Sequence, residues 1–327
     1  MSTPKPRVTI VGLGLIGSSI GLALRQAEVT SVVMGHDKDR SVSDQAKKRG
    51  AVDRVHWNLI SACEEADLVI LATPIAAIEE TLKVIGSNLR PGCVVLDTAS
   101  LKGPVMGWAE TYLPDEVHFV GGDPILSTGT TGQGGLEAAR ADLFHLGLFC
   151  LIPSTKADSA AVELASDLVS VLGARPLFLD AAEHDGLLAG VEHLPTLLAL
   201  AMVEAMTDQP TWRELRKVAG PGFELGTQFV TESSMDNRDL YLLNRDNLVR
   251  WIDVLIAELD SIRDGLSENE PEAWAKRWQK AVQERQKWLA DRTQGQWYEG
   301  PKTEMPRMNL ADSFLGTFWR RRPKEQP

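Results

Sequence analysis

Cysteine is scarce in this chain: only Cys63, Cys93 and Cys150 occur among 327 residues. None sits in a CxxC spacing and any pairing leaves one over, so the sequence argues against a disulfide framework and for a reducing compartment. Histidine is equally thin. Six are scattered without a His-x-x-x-His pair or a cysteine cluster, so no metal site is expected. Positive charge is in deficit, with 34 Lys and Arg against 45 Asp and Glu. The net charge of −11 repels phosphate backbones and anionic bilayers, so neither a nucleic-acid nor a membrane partner is expected. No apolar stretch reads as long as the roughly 18 residues of a membrane span. The polar opening Met1–Arg7 carries no targeting signal, which makes the expected location cytoplasmic.

What the chain does have is ordinary globular composition, 43% apolar and 24% charged, in a length that calls for two domains. Short apolar runs at Val8–Val11, Ser31–Met34, Leu68–Leu71, Val94–Leu96, Val117–Val120 and Leu148–Leu151 alternate with helical segments such as Ile75–Ile85. That alternation predicts an α/β, Rossmann-type doubly wound parallel sheet over residues 1–153. From 154 to 295 the strand signal fades after one more βα unit, Ala157–Leu172 with Pro176–Leu179. Four helical stretches follow, at Ala181–Met206, Thr211–Thr231, Asn237–Gly265 and Pro271–Asp291, and these predict an all-α helical domain. Trp274, Trp278 and Trp288 fall near one face of the last stretch and are read as packing on that domain's core. Residues 296–327, including Arg320-Arg321-Arg322, are expected to form a surface tail.

Gly12-Leu13-Gly14-Leu15-Ile16-Gly17 follows a strand and opens a helix, the context that gives a glycine pattern its meaning. Gly12 permits the tight turn, Gly14 lets the backbone approach a pyrophosphate, and Gly17 lets helix and strand pack closely. The pyrophosphate then lies on the helix N-terminus, beside Leu15 and Ile16. Asp37, twenty positions past Gly17, is placed to accept hydrogen bonds from the adenosine ribose hydroxyls, which selects NAD over NADP. Thr73, Pro74, Ser100 and Lys102 lie at or just after carboxyl ends of strands, where open α/β sheets bind ligands.

Read in order, Val11–Ser19, Asp67–Pro74, Asp97-Thr-Ala-Ser100-Leu-Lys102, Val120-Gly-Gly-Asp123-Pro124, Glu183-His-Asp185 and Glu192-His193-Leu-Pro195 resemble the prephenate and arogenate dehydrogenases of tyrosine biosynthesis. The resemblance implies a Rossmann domain plus a helical dimerisation domain, hence a homodimer, with the active site in the cleft between them. It also implies oxidation of a small ring alcohol by hydride transfer to NAD, with loss of the ring carboxylate as CO2. The family's usual histidine before the proline is Asp123 here, and a carboxylate, ordinarily titrating near about 3.9, suits neutral pH as a base only when burial raises it. The family's second histidine is Thr196, and its carboxylate-clamping arginine is Gln228, in Phe223-Glu-Leu-Gly-Thr227-Gln228. The site that follows from this reading has Asp123 as base, assisted by His193, with Ser100 holding the alcohol and Lys102, Glu192 and Gln228 on the substrate. His184 is read as a partner of Asp185 or of a backbone group, and Arg238 as a partner of Asp239 or Asp236. Two alternatives stay open: a dehydrogenase of another hydroxyacid or cyclic alcohol, and a catalytically silent NAD-binding regulator.

Overall fold

The computed structural model describes residues 5–127, 134–231, 238–268 and 270–297. The expected tail beyond Trp297, its arginine cluster included, lies outside them. Two compact units emerge. The first comprises Met1–Thr73, Ala77–Ala181 and Gln283–Pro327, and the second Pro74–Ala76 and Ala182–Val282.

The first unit is built on one eight-stranded sheet of order β3-β2-β1-β4-β5-β6-β7-β8. Its strands are β1 (Arg7–Val11), β2 (Val32–His36), β3 (Arg54–Val55), β4 (Leu68–Leu71), β5 (Val94–Asp97), β6 (His118–Ile125), β7 (Leu148–Pro153) and β8 (Arg175–Phe178). Strands β4 and β5 are buried at every position, as apolar runs covered by helices on both faces must be. Two features differ from the expected parallel sheet on 1–153. Strand β7 runs antiparallel to β6. The connection between them includes four glycines at 129, 132, 134 and 135, a composition poor for the crossover helix that a parallel return needs. Strand β8 pairs with β7 in the same sheet, so this unit continues to Ala181 instead of ending near 153.

Strand β6 also outruns its predicted end at Val120. Antiparallel pairing carries it on to Ile125, with Asp123 opposite Cys150. The Gly-Gly-Asp-Pro sequence hid this, because glycine and proline usually interrupt strands.

Burial silences two thiols of this unit, Cys63 and Cys150. Desolvation pushes Cys63 from its usual 9.0 up to about 12. Cys150 rises to the same value through desolvation and the nearby Asp123 charge, with Lys102 acting in the opposite sense. The unfolded chain therefore releases these protons at lower pH than the folded chain. Their contribution to stability is full below pH 9 and declines as pH rises towards 12, by about 1.4 kcal/mol per pH unit for each thiol. Urea denaturation at pH 8 and pH 10 should show that decline, with a smaller one in Cys63→Ala. Equal stability at both pH values would refute it.

In the second unit the predicted helix Ala181–Met206 is three segments: a helix (Ala181–Leu188), a π-helical turn (Ala189–His193) and a second helix (Leu194–Thr207). Pro195 lacks the N–H that would close onto the Val191 carbonyl, and the expected irregularity takes the form of this π turn. The turn packs on a long helix, Arg245–Glu268. Trp251 of that helix donates its indole N–H to the Gly186 carbonyl at 2.9 Å. A Cβ on Gly190 would come within 2.6 Å of the Trp251 ring. Gly190→Ala is therefore expected to cost about 1–3 kcal/mol by overpacking, measured by urea denaturation. Unchanged stability would show that the turn has slack.

Two further expectations are corrected here. Ala181–Thr207 is by length and composition apolar enough to cross a membrane, contrary to the reading that no stretch reaches that length, and only 22% of the qualifying window is buried. Trp278 and Trp288 are 65% and 47% exposed instead of packed in a core. Their helix, Pro271–Gln294, has no buried residue. Trp288 lies under the Arg292 guanidinium, 5.2 Å from the ring centroid.

Candidate active site

The glycine turn follows β1 at a sheet edge made by the carboxyl ends of the parallel strands. Gly12 adopts φ +90°, and a Cβ there would meet the Ala72 carbonyl oxygen at 2.4 Å. At Gly17 a Cβ would come within 1.9 Å of the Gly12 oxygen. Both positions are closed by the protein's own backbone. Gly14 is different, since a Cβ there would meet nothing within 4 Å. Gly14 is also the N-cap of α1 (Leu15–Gln26) and provides no side-chain cap, so the first amides of that helix, Leu15 and Ile16 among them, face an open cradle.

Asp37 belongs to this turn. Its Oδ2 accepts the Leu13 N–H at 2.8 Å and its Oδ1 the Asp39 N–H at 2.9 Å, which fixes the carboxylate beside the glycines. Thr73 follows β4, with its methyl 3.0 Å from where a Gly12 Cβ would stand. Its buried hydroxyl has no hydrogen-bond partner among the described residues. An open cradle at a helix N-terminus, a fixed carboxylate and an orphaned hydroxyl fit a dinucleotide, with Gly14, Leu15 and Ile16 at the pyrophosphate and Asp37 at the ribose.

The substrate candidates of the same unit lie on adjacent strands. Ser100 is half-buried in the loop after β5. Asp123 is 5% exposed on β6. Lys102 is fully buried, ion-paired to Asp97, and donates to the Gly122 carbonyl at 2.7 Å. The role of a substrate-anion ligand read for it gives way to an internal one, because a fully buried ammonium engaged in this way does not meet a dissolved anion.

In the helical unit His193 is 3% exposed at the end of the π turn. The Asn244 amide donates to its Nδ1 at 3.4 Å and to the Asp185 carbonyl at 3.0 Å. Asn247 in turn donates to the Asn244 Oδ1 at 2.9 Å. A donor on Nδ1 places the proton of the neutral ring on Nε2. His184 pairs with Asp185 at 2.9 Å, as read. Arg238 pairs with Asp239. Glu192 and Gln228 are exposed.

Sequence reasoning gave no part to Asp97, which holds the Ala99 and Gly122 amides, or to Asn244, which holds the His193 ring. Asp97 stood inside a quoted motif without a role. Asn244 is 51 positions from His193, and nothing local marks it.

The chain matches the sequence profile described as "Prephenate dehydrogenase, nucleotide-binding domain" over residues 20–177. It matches "Prephenate dehydrogenase, dimerization domain" over residues 180–280. It is 30% identical to the prephenate dehydrogenase of Bacillus subtilis (strain 168) over 277 residues, which are 83% of this chain and 73% of that enzyme. It is 26% identical to a cyclohexadienyl dehydrogenase of Zymomonas mobilis, over 80% of this chain and 88% of that protein. Its fold is similar to the crystal structure of A. aeolicus prephenate dehydrogenase in complex with hydroxyphenyl propionate and NAD+. The TM-score is 0.80 at 24% identity, over 88% of this chain and 99% of that one.

Proposed function

The chain belongs to the prephenate dehydrogenase family, and from that premise we propose that it catalyses the NAD-dependent oxidative decarboxylation of prephenate or arogenate. The observation that carries the reading is the cradle at Gly14, open to a pyrophosphate and followed in order by both halves of the family.

Bound NAD supplies the acceptor for the hydride that leaves the ring C4. The chain's residues supply position and proton transfer. Asp123 accepts the proton of the C4 hydroxyl, and Ser100 holds that hydroxyl by a hydrogen bond. The ring carboxylate then leaves as CO2, its bonding electrons pass into the ring, and the resulting phenolate oxygen regains a proton from Asp123. Burial of Asp123 keeps water away from this exchange. His193, held by Asn244, is assigned to assist the reaction, and Glu192 and Gln228 to the polar groups of the substrate. Thr73 and Pro74 are assigned to the cofactor.

The substrate is decided by initial rates of NAD reduction with each compound at equal concentration. With Asp123 committed to the C4 hydroxyl, the carboxylate of Glu192 suits the ammonium of arogenate. A higher kcat/KM for arogenate supports that pairing, and equal values remove it. Turnover of neither compound, with NAD bound, contradicts the function.

The assembly is a homodimer made through the helical unit. Leu198 and Leu200 of the helix Leu194–Thr207 and Val254 and Ile256 of the long helix Arg245–Glu268 are 37–54% exposed, apolar side chains that a second copy would remove from water. Light scattering at twice the monomer mass supports this, and monomer mass at micromolar concentration refutes it. A cytoplasmic location accords with the reduced, buried cysteines.

A further inference from the structure

Asp97 and Lys102 are both 0% exposed, and together they join two segments 25 residues apart. The Asp97 Oδ2 accepts the Ala99 N–H at 2.9 Å and the Lys102 ammonium, which cinches the loop that carries Ser100. Its Oδ1 accepts the Gly122 N–H at 3.1 Å, while Lys102 donates to the Gly122 carbonyl at 2.7 Å. Both backbone groups of the residue before Asp123 are thus held by one ion pair. The glycines of β6 make room for it. A Cβ on Gly121 would stand 3.1 Å from the Lys102 Cδ, and one on Gly122 would stand 2.5 Å from the Asp97 carbonyl oxygen. Cys150, opposite Asp123 in the sheet, responds to the charges of both Asp123 and Lys102, which places the two groups around one thiol.

A buried ion pair is a poor way to gain stability, since apolar residues of similar volume often serve as well. One placed where two active segments meet has another use. We propose that the Asp97–Lys102 pair is a positioning clamp that sets the Ser100 loop against the Asp123 strand in the geometry the oxidation needs. The inference rests on the function proposed above.

The test compares wild type, Lys102→Met and the double variant Asp97→Asn/Lys102→Met. Thermal unfolding, NAD affinity, kcat and KM, and amide exchange at Ala99 and Gly122 are measured for each. Lys102→Met leaves a buried carboxylate unpaired and loses stability. The double variant regains the wild-type Tm and binds NAD within about twofold. Its kcat nonetheless stays down by about 30- to 100-fold, as a displacement near 1 Å can cause. Its KM changes little and exchange at Ala99 and Gly122 quickens. Recovery of kcat together with Tm would overturn the clamp and leave a structural pair. Should the double variant not fold, Gly121→Ala presses on the Lys102 stem, and equally on the Met106 sulfur, with all charges in place, and Met106→Ala in the same background removes the second contact as a control. A lowered kcat at unchanged NAD affinity then supports the clamp, and wild-type kcat overturns it. If the wild-type chain turns over neither substrate, the proposed function fails on its own. Exchange at the two amides then decides the clamp: unchanged protection in the double variant overturns it, and quickened exchange supports it.

Discussion

Replacing Asp123 by Asn lowers kcat on the preferred substrate by about 10²- to 10⁴-fold, the range expected when a general base is removed. The dissociation constant for NAD changes by less than about twofold, because the lesion falls on an interaction made in the transition state. Asn keeps the shape of the side chain and the β6–β7 register that pairs position 123 with Cys150. It cannot take up a proton as a carboxylate does. A second signal follows from the same charge. Asp123 helps to raise the Cys150 thiol, so its neutralisation lets that thiol titrate lower than about 12. Steady-state rates give the first effect and absorbance titration of the thiols the second. Turnover that survives, with the Cys150 titration displaced as expected, would show that the charge was removed and that Asp123 is not the base.

Gly14→Val and Gly17→Val should fail in opposite ways. At Gly17 the added carbon meets the Gly12 oxygen at 1.9 Å, so the turn itself is broken and the protein unfolds at much lower temperature. At Gly14 the added group enters space that no protein atom fills within 4 Å, and the backbone there is already extended. The fold survives while the side chain occupies the pyrophosphate's place. NAD affinity then falls at least about tenfold, a loss of about 1.4 kcal/mol or more. Calorimetric titration of NAD alongside thermal unfolding separates the two results. Wild-type NAD affinity in Gly14→Val would mean that the dinucleotide does not cross the turn there.

The middle of the sheet was readable because β4 and β5 are buried on both faces, and runs such as Leu68–Leu71 leave little choice of element. The glycine turn was readable because each glycine answers a local backbone demand. What escaped depends on contacts between distant residues. Strand β6 looked finished at Val120, since nothing local shows that β7 would pair with Gly-Gly-Asp-Pro. Lys102 looked like a ligand for anions at a strand end, and only burial beside Asp97 and Gly122 turns it inward. Trp274, Trp278 and Trp288 follow a helical spacing, yet spacing does not supply a core to pack on, and Trp278 and Trp288 are exposed. Pro195 announced an irregularity near His193, but the π turn's support by Trp251, on the helix Arg245–Glu268, and by Asn244, in the turn just before that helix, comes from residues far along the chain.

The most direct test of the central claim is the stoichiometry of the reaction on isotopically labelled substrate. NADH is followed at 340 nm while CO2 from the ring carboxylate is trapped and counted. One CO2 released for each NADH formed, from prephenate or arogenate, is the predicted result. NADH without CO2 from either compound, or neither product while NAD remains bound, would contradict it.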